Sequence, residues 1–184
     1  MAMPIRVGLG FDVHRLMAGR RMVLAGVEVP SPLGPDAHSD GDVVLHAVAD
    51  AVLGAAGLGD LGEHFPDTDP AWKDADSGRI LGRVIEMARR AGWRVAGADV
   101  NVLLEQPKLG GLKAAMRQRL AELLGVLAGA AGLKARTMEG LGPIGEGRAV
   151  AAQAVVLLER MPALRRRAGA ARAVKGQRQR KEPS

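Results

Sequence analysis

His38-Ser39-Asp40-Gly41-Asp42-Val43-Val44-Leu45-His46-Ala47-Val48-Ala49-Asp50 reads as the opening of an amphipathic helix that carries polar chemistry along one edge. Positions four apart on a helix are offset by only about 40°, so Asp42, His46 and Asp50 share a stripe. Leu45, Val48, Ala49, Val52 and Leu53 form the apolar stripe. Ser39 with Asp42 three residues later fits a capping box, which predicts a helix start near Asp40. The stop is expected near Ala56, before Gly57 and Gly59. An imidazole between two acids is costly beside a core unless it finds a partner. The preceding segment offers one. Residues 5–14 alternate and are rich in β-formers, and in a strand Asp12 and His14, two apart, point to the same side.

Outward from this pair, residues 22–29 read as a second strand, entered through Gly19-Arg20-Arg21 and ended by Pro30-Ser31-Pro32. Residues 57–77 are dense in Gly, Pro and Asp and read as a loop of roughly twenty residues, a length that points to a lid or binding loop. Residues 77–91 give a second amphipathic helix closed by Gly92. Residues 93–104 alternate as a strand that ends before Pro107-Lys108, and residues 109–127 form a third helix. Strands are expected over 133–138 and 149–158, with a Gly-rich loop over 140–147 between them. The order β-β-α-α-β-α-β-β predicts an α/β (α+β) fold with a single mixed β-sheet and helices packed on one face.

The 184 residues suffice for one core and are short for two. The expectation is a folded domain over residues 1–161 and a basic, disordered tail over 162–184, where hydrophobic periodicity is lost. The net charge is +6, but residues 162–184 hold eight Lys and Arg against one Glu, a balance of +7 that leaves −1 for the rest. Basicity therefore belongs to the tail, and a solvated extension is preferred over a nucleic-acid contact. With two Phe and two Trp, the core must be built from Ala, Val and Leu, which favours an oligomer. The chain has no Cys, so any metal needs His and carboxylate ligands. No apolar run approaches the roughly 18–20 residues of a membrane span, and residues 1–8 lack a secretory or transit pattern. A cytoplasmic protein is expected.

Asp12, His14 and His46 make a two-His, one-carboxylate set that suits Zn²⁺ with a fourth position open. On spacing alone, a satisfied core histidine is the competing reading. Asp42 and Asp50 are either groups that orient an imidazole or solvated acids, and capping already explains Asp42. His38 and Ser39 sit at a helix N-terminus, suited to an anion or to a plain helix entry. Asp60, Asp67 and Asp69 can accept from sugar hydroxyls or hold a second metal, with Phe65 as an apolar wall. Asp-rich turn chemistry explains them as well. Lys108 and Thr137 offer a cation and a hydroxyl to phosphate, or are solvated surface residues.

Taken together in order, Gly10-Phe11-Asp12-Val13-His14, Ala37 through His46, Leu58-Gly59-Asp60-Leu61-Gly62, Phe65-Pro66-Asp67-Thr68-Asp69-Pro70, Gln106-Pro107-Lys108 and Thr137-Met138-Glu139-Gly140 resemble the motifs of the 2-C-methyl-D-erythritol 2,4-cyclodiphosphate synthase family. The resemblance spans about residues 5–160. It implies that a cytidine diphosphate substrate of the non-mevalonate isoprenoid pathway is cyclised with release of CMP, in a homotrimer whose active sites lie between subunits. It implies Zn²⁺ held by Asp12, His14 and His46, and Mg²⁺ or Mn²⁺ held largely by the substrate diphosphate. His38 and Thr137 match the positions that stabilise the transition state. Ser39, Asp60, Leu61, Gly62, Phe65, Asp67 and Asp69, next to Asp12 and His14, match the segments around the methylerythritol phosphate. Leu104, Lys108, Arg136, Thr137 and Glu139 match those around the cytidine diphosphate. The chain departs from the family pattern at Arg136, where Thr is usual, and at Pro143, Glu146 and Gln153, where Phe, Arg and Glu are usual. The last three bear on a cavity on the trimer axis and on phosphate contact, with Arg148 or Arg136 as replacement cations. Two other classes stay open on the residues: a Zn-dependent phosphohydrolase with the same ligands, and a nucleotide or nucleic-acid binding module that uses the tail.

Overall fold

Over residues 5–14 the glycine and polar residues face inward and the large apolar ones outward, the reverse of the usual half-buried strand. The structure, a computed structural model, describes residues 4–162. Its elements are β1 (Ile5–Ala18), β2 (Met22–Leu24), β3 (Val27–Val29), β4 (Leu33–Pro35), α1 (Val43–Ala56), α2 (Leu61–His64), α3 (Ser77–Arg90), β5 (Trp93–Leu103), α4 (Lys113–Leu124), β6 (Ala131–Arg136), α5 (Gly142–Gly145) and β7 (Ala149–Arg160). Single 3₁₀ turns occur at Pro70–Trp72 and Ala128–Ala130. The expected tail lies outside the described residues.

A five-stranded mixed sheet runs in the order β4-β1-β7-β5-β6. Among the described residues only β5 and β6 pair in parallel, and the crossover between them carries α4. Helix α1 packs on β1 and β7 with α3 beside it, and α4 packs against β6. The mixed sheet with packed helices is as expected.

Residues 22–29 are not one strand but the separate hairpin β2–β3, because Ala25 and Gly26 both take positive φ (53° and 71°) and reverse the chain. The short edge strand β4 pairs with β1 just after the expected break. Its Pro35 is tolerated because an edge strand need not donate on both sides. Helix α1 begins at Val43, not Asp40, and its N-cap is Asp42, which accepts from Val44 and Leu45 N–H. Ser39 is no cap; its hydroxyl accepts the Gly41 N–H. Helix α4 starts later and ends earlier than expected, closed by Gly125 in the left-handed region. The long loop is not without structure: α2 and one 3₁₀ turn break it up.

Two features set where α1 lies. First, Asp42 is fully buried, and besides capping it accepts the Ala25 and Gly26 N–H groups at 2.9 and 2.6 Å, which ties the hairpin to the start of the helix. Second, Gly8 and Gly10 on the inward row of β1 let the helix come unusually close. A Cβ on Gly10 would stand 1.9 Å from the Ala47 carbonyl oxygen, and one on Gly8 1.9 Å from that of Ala51. The obstacles are backbone atoms, which cannot swing aside. Gly10→Ala is therefore expected to destabilise the protein by about 3 kcal/mol or more, at or above the upper range of an overpacked core. Urea unfolding of the two proteins side by side measures it.

Candidate metal centre and cleft

Strand alternation brings Asp12 and His14 to the inward side of β1, two and four residues beyond Gly10, and the first turn of α1 brings His46 to meet them. Asp12 Oδ2 lies 2.8 Å from His46 Nδ1 and 3.2 Å from His14 Nε2, and the two ring nitrogens are 3.3 Å apart. Tetrahedral Zn²⁺ with bonds of about 2.0–2.1 Å sets neighbouring donors roughly 3.3 Å apart, so these atoms approximate one face of such a tetrahedron. The donor set fits a divalent cation with one position left open. Among the described residues, no other group of three His, Cys, Asp or Glu side chains converges in this way.

The electrostatics follow from the same contacts. Burial alone would raise the Asp12 pKa, but hydrogen bonds from His14 and His46, and their charge, outweigh it and hold the carboxyl well below the usual range. For His46, burial favours the neutral ring. The hydrogen bond and charge of Asp12, with the charges of Asp42 and Asp40, overcome that and push its pKa up. Asp50, one turn further along α1, is raised chiefly by burial against the Leu61 N–H that it accepts, with help from Asp60 and Asp12. Asp42 does not orient an imidazole, since its two oxygens accept four backbone N–H groups.

The three ligands open onto a cavity of about 810 Å³. His38, Ser39, Asp60, Leu61, Gly62, Phe65 and Asp67, expected from the sequence, line the same cavity. Ala37 and Pro66, inside the quoted motifs but given no role, line it as well, and so do Asp36, Trp72 and Ile80, which the sequence does not single out and which proximity in the fold places there. His38 Nε2 is buried and makes no hydrogen bond among the described residues. Phe65 and Trp72 meet edge to face at 4.8 Å. Asp60 Oδ1 accepts the Glu63 N–H as the cap of α2, which leaves its other oxygen unspent on the cap. Asp69 is not in the lining; it caps the Pro70–Trp72 turn through the Ala71 N–H.

Leu104, Lys108, Arg136 and Thr137 line a second, smaller cleft of about 260 Å³. Beside it the Thr137 hydroxyl donates to Glu139 Oε1 at 2.6 Å, and Glu139 itself is not in the lining. On one chain the two clefts are separate. Arg148 is ion-paired to Glu146.

Fold and cleft thus define a mixed α/β protein with a two-His, one-carboxylate metal centre. The chain belongs to the YgbB family, whose model matches residues 5–159. It is 52% identical to the 2-C-methyl-D-erythritol 2,4-cyclodiphosphate synthase of Salinibacter ruber, over 84% of this chain and 99% of that one. It is 48% identical to that of Solibacter usitatus, over 85% and 98%. Among solved structures, a CDP-bound form of 2C-methyl-D-erythritol-2,4-cyclodiphosphate synthase aligns with a TM-score of 0.77 at 42% identity, covering 83% of this chain and 99% of that one. The bifunctional IspDF of Campylobacter jejuni aligns with a TM-score of 0.83 at 40% identity, covering 87% of this chain and 43% of that larger one. No helix among the described residues is long and apolar enough to cross a membrane.

If the triad binds Zn²⁺, saturating Zn²⁺ should raise the melting temperature of the chelator-treated protein, because a ligand of the native state stabilises it by mass action. His46→Ala should abolish that rise. An equal rise in both proteins would move the metal elsewhere.

Proposed function

We propose that this chain converts 4-diphosphocytidyl-2-C-methyl-D-erythritol 2-phosphate to 2-C-methyl-D-erythritol 2,4-cyclodiphosphate and CMP, in the non-mevalonate isoprenoid pathway. It is a cyclising phosphorus–oxygen lyase. An oxygen of the 2-phosphate attacks the β-phosphorus of the same molecule, the bond from that phosphorus to the bridging oxygen breaks, and CMP departs with the electron pair. The observation that carries this reading is the three-donor centre of Asp12, His14 and His46 open to a cavity lined by His38, Ser39 and Asp60. Zn²⁺ on those three residues and Mg²⁺ or Mn²⁺ on the diphosphate would supply charge neutralisation at the phosphates when bound.

The rest is positioning. Attacker and electrophile are tethered, and oriented intramolecular reactions reach effective molarities of about 10⁵ M or more. Ser39, Asp60, Leu61, Gly62, Phe65 and Asp67 surround the methylerythritol part in this reading, and Asp69 supports them by capping the Pro70–Trp72 turn that brings Trp72 to the cavity wall. Leu104, Lys108 and Arg136 hold the cytidine diphosphate part, with Glu139 beside them on the Thr137 hydroxyl. His38, whose Nε2 is unspent, donates where negative charge develops, and Thr137 does so once its hydroxyl turns from Glu139 to the substrate. No protein nucleophile is required. Residues 1–161 form the catalytic unit, nucleic acid is not a partner, and the enzyme works in the cytoplasm.

The homotrimer belongs to the same proposal. The outward row of β1, from Ile5 through Val7, Leu9 and Phe11 to Val13, is 48–66% exposed on one chain. Val155 and Leu157 of β7 extend it. Such a continuous apolar face requires cover, and a second copy of the chain supplies it. Two clefts that are separate on one chain can then be joined across subunits, metal centre from one and nucleotide cleft from its neighbour.

Incubation with the substrate and Mg²⁺, followed by ³¹P NMR, is expected to give CMP and the cyclic diphosphate in equal amounts with wild type and neither with His46→Ala. A linear product with one added water would instead make the protein a Zn-dependent phosphohydrolase. Light scattering is expected to return three times the 19.2 kDa chain mass, and Leu9→Arg to shift the protein to smaller species with loss of turnover. A wild-type monomer with full activity would overturn the shared site.

A further inference from the structure

The Nε2 edge of His46, turned away from Asp12, is enclosed by two serine hydroxyls, Ser77 Oγ at 2.9 Å and Ser39 Oγ at 3.1 Å. Both serines are buried. Ser77 is the first residue of α3 and stands 31 positions along the chain from His46. Its place there is not explained by capping, which Asp76 performs.

The two hydroxyls differ in what else they touch. Ser77 donates its proton to Asp40 Oδ1, while Asp40 Oδ2 accepts the Ser77 N–H at 3.1 Å. A hydroxyl has one proton and two lone pairs. With that proton committed to a carboxylate, Ser77 offers His46 only a lone pair, so Nε2 must carry the hydrogen. Ser39 accepts the Gly41 N–H and keeps its own proton, and so can meet either tautomer.

This choice matters because the opposite edge of the ring is contested. A neutral imidazole has one N–H. Asp12 Oδ2, 2.8 Å from Nδ1, is an acceptor that would draw that hydrogen to Nδ1 and block the atom that faces the metal position. The Ser77–Asp40 pair pulls it the other way. Ring nitrogens that bind a metal are commonly set by the hydrogen bond made at the other nitrogen.

We propose that Ser77 and Asp40 are positioning residues of the metal centre: Asp40 orients the Ser77 hydroxyl, the hydroxyl holds the hydrogen of His46 on Nε2, and Nδ1 is left as a bare ligand. The proposal rests on reading Asp12, His14 and His46 as a metal site. Neither residue touches the substrate in this account. Their effect passes entirely through His46.

Two measurements test it. In competition with a chromogenic chelator, Ser77→Ala is expected to weaken Zn²⁺ binding about 10–100-fold, the usual cost of losing such a supporting contact. Ser77→Thr, which keeps the hydroxyl, should restore most of the affinity. In the metal-free protein, above the pH at which His46 loses its extra proton, ¹⁵N–¹H correlation is expected to show the hydrogen on Nε2 in wild type and on Nδ1 in Ser77→Ala. A metal-free wild type with the hydrogen on Nδ1 overturns the proposal whether or not Ser77→Ala folds. Unchanged affinity and tautomer in Ser77→Ala, with His46→Ala deficient in binding, overturns it alone. Zn²⁺ binding that is the same in wild type and His46→Ala overturns the metal reading, and this proposal with it.

Discussion

Helix α1 and strand β1 meet backbone to backbone, and the rest of the molecule is arranged around that contact. Gly8 and Gly10 present no side chain to the helix, and Ala47, Ala51 and Ala55 present little to the strand. The short distance lets a histidine from the helix reach an aspartate and a histidine on the strand within hydrogen-bonding range. Two larger residues at the glycine positions would lift the helix away and separate the three ligands. The aromatic-poor core is then a requirement of the site, because bulk at this seam is incompatible with it. The buried anchor of Asp42 on the hairpin adds the second constraint, since it fixes where along the chain the helix starts and therefore which way His46 faces.

The acids of this chain divide by what their oxygens hold. Asp42, Asp60, Asp69 and Asp76 cap helical turns and give oxygens to backbone N–H groups. Asp12 accepts the Val13 N–H with Oδ1 but gives Oδ2 to two imidazoles. This difference separates acids that shape the loops from the acid that does chemistry, and it is invisible in composition. Asp60 stands between the classes, with one oxygen on a cap and its side chain on the cavity wall.

Much of this was legible in the sequence where a regular period carried it. The shared side of Asp12 and His14 follows from strand alternation, and the reach of His46 from the helical stripe. The end of α1 at Gly57 and the start of α3 at Ser77 were also readable. What was not readable depended on partners remote in the chain. A turn at Ala25-Gly26 carries no strong local signal, because an alanine with positive φ is held there by the carboxylate of Asp42, 17 residues away. The start of α1 was misplaced for the same reason: Ser39, a good cap by type, is turned toward His46 and Gly41. Ser77 looked like nothing more than the first residue of a helix. The outward row of β1 was read simply as β-forming, since periodicity shows that two faces differ but not which one is inside.

The two tryptophans stand in unlike places. Trp72 lies in the cavity wall, edge-on to Phe65, on the loop that surrounds the metal centre. Trp93 is buried at the start of β5, with the guanidinium carbons of Arg6 and Arg160 4.4 and 5.1 Å from its ring. One indole therefore senses solvent and whatever enters the cleft, while the other is held in a fixed cationic enclosure. With no tyrosine in the chain to interfere, the protein carries a built-in pair of optical probes, one on the site and one on the scaffold, by which occupancy of the cleft can be separated from unfolding.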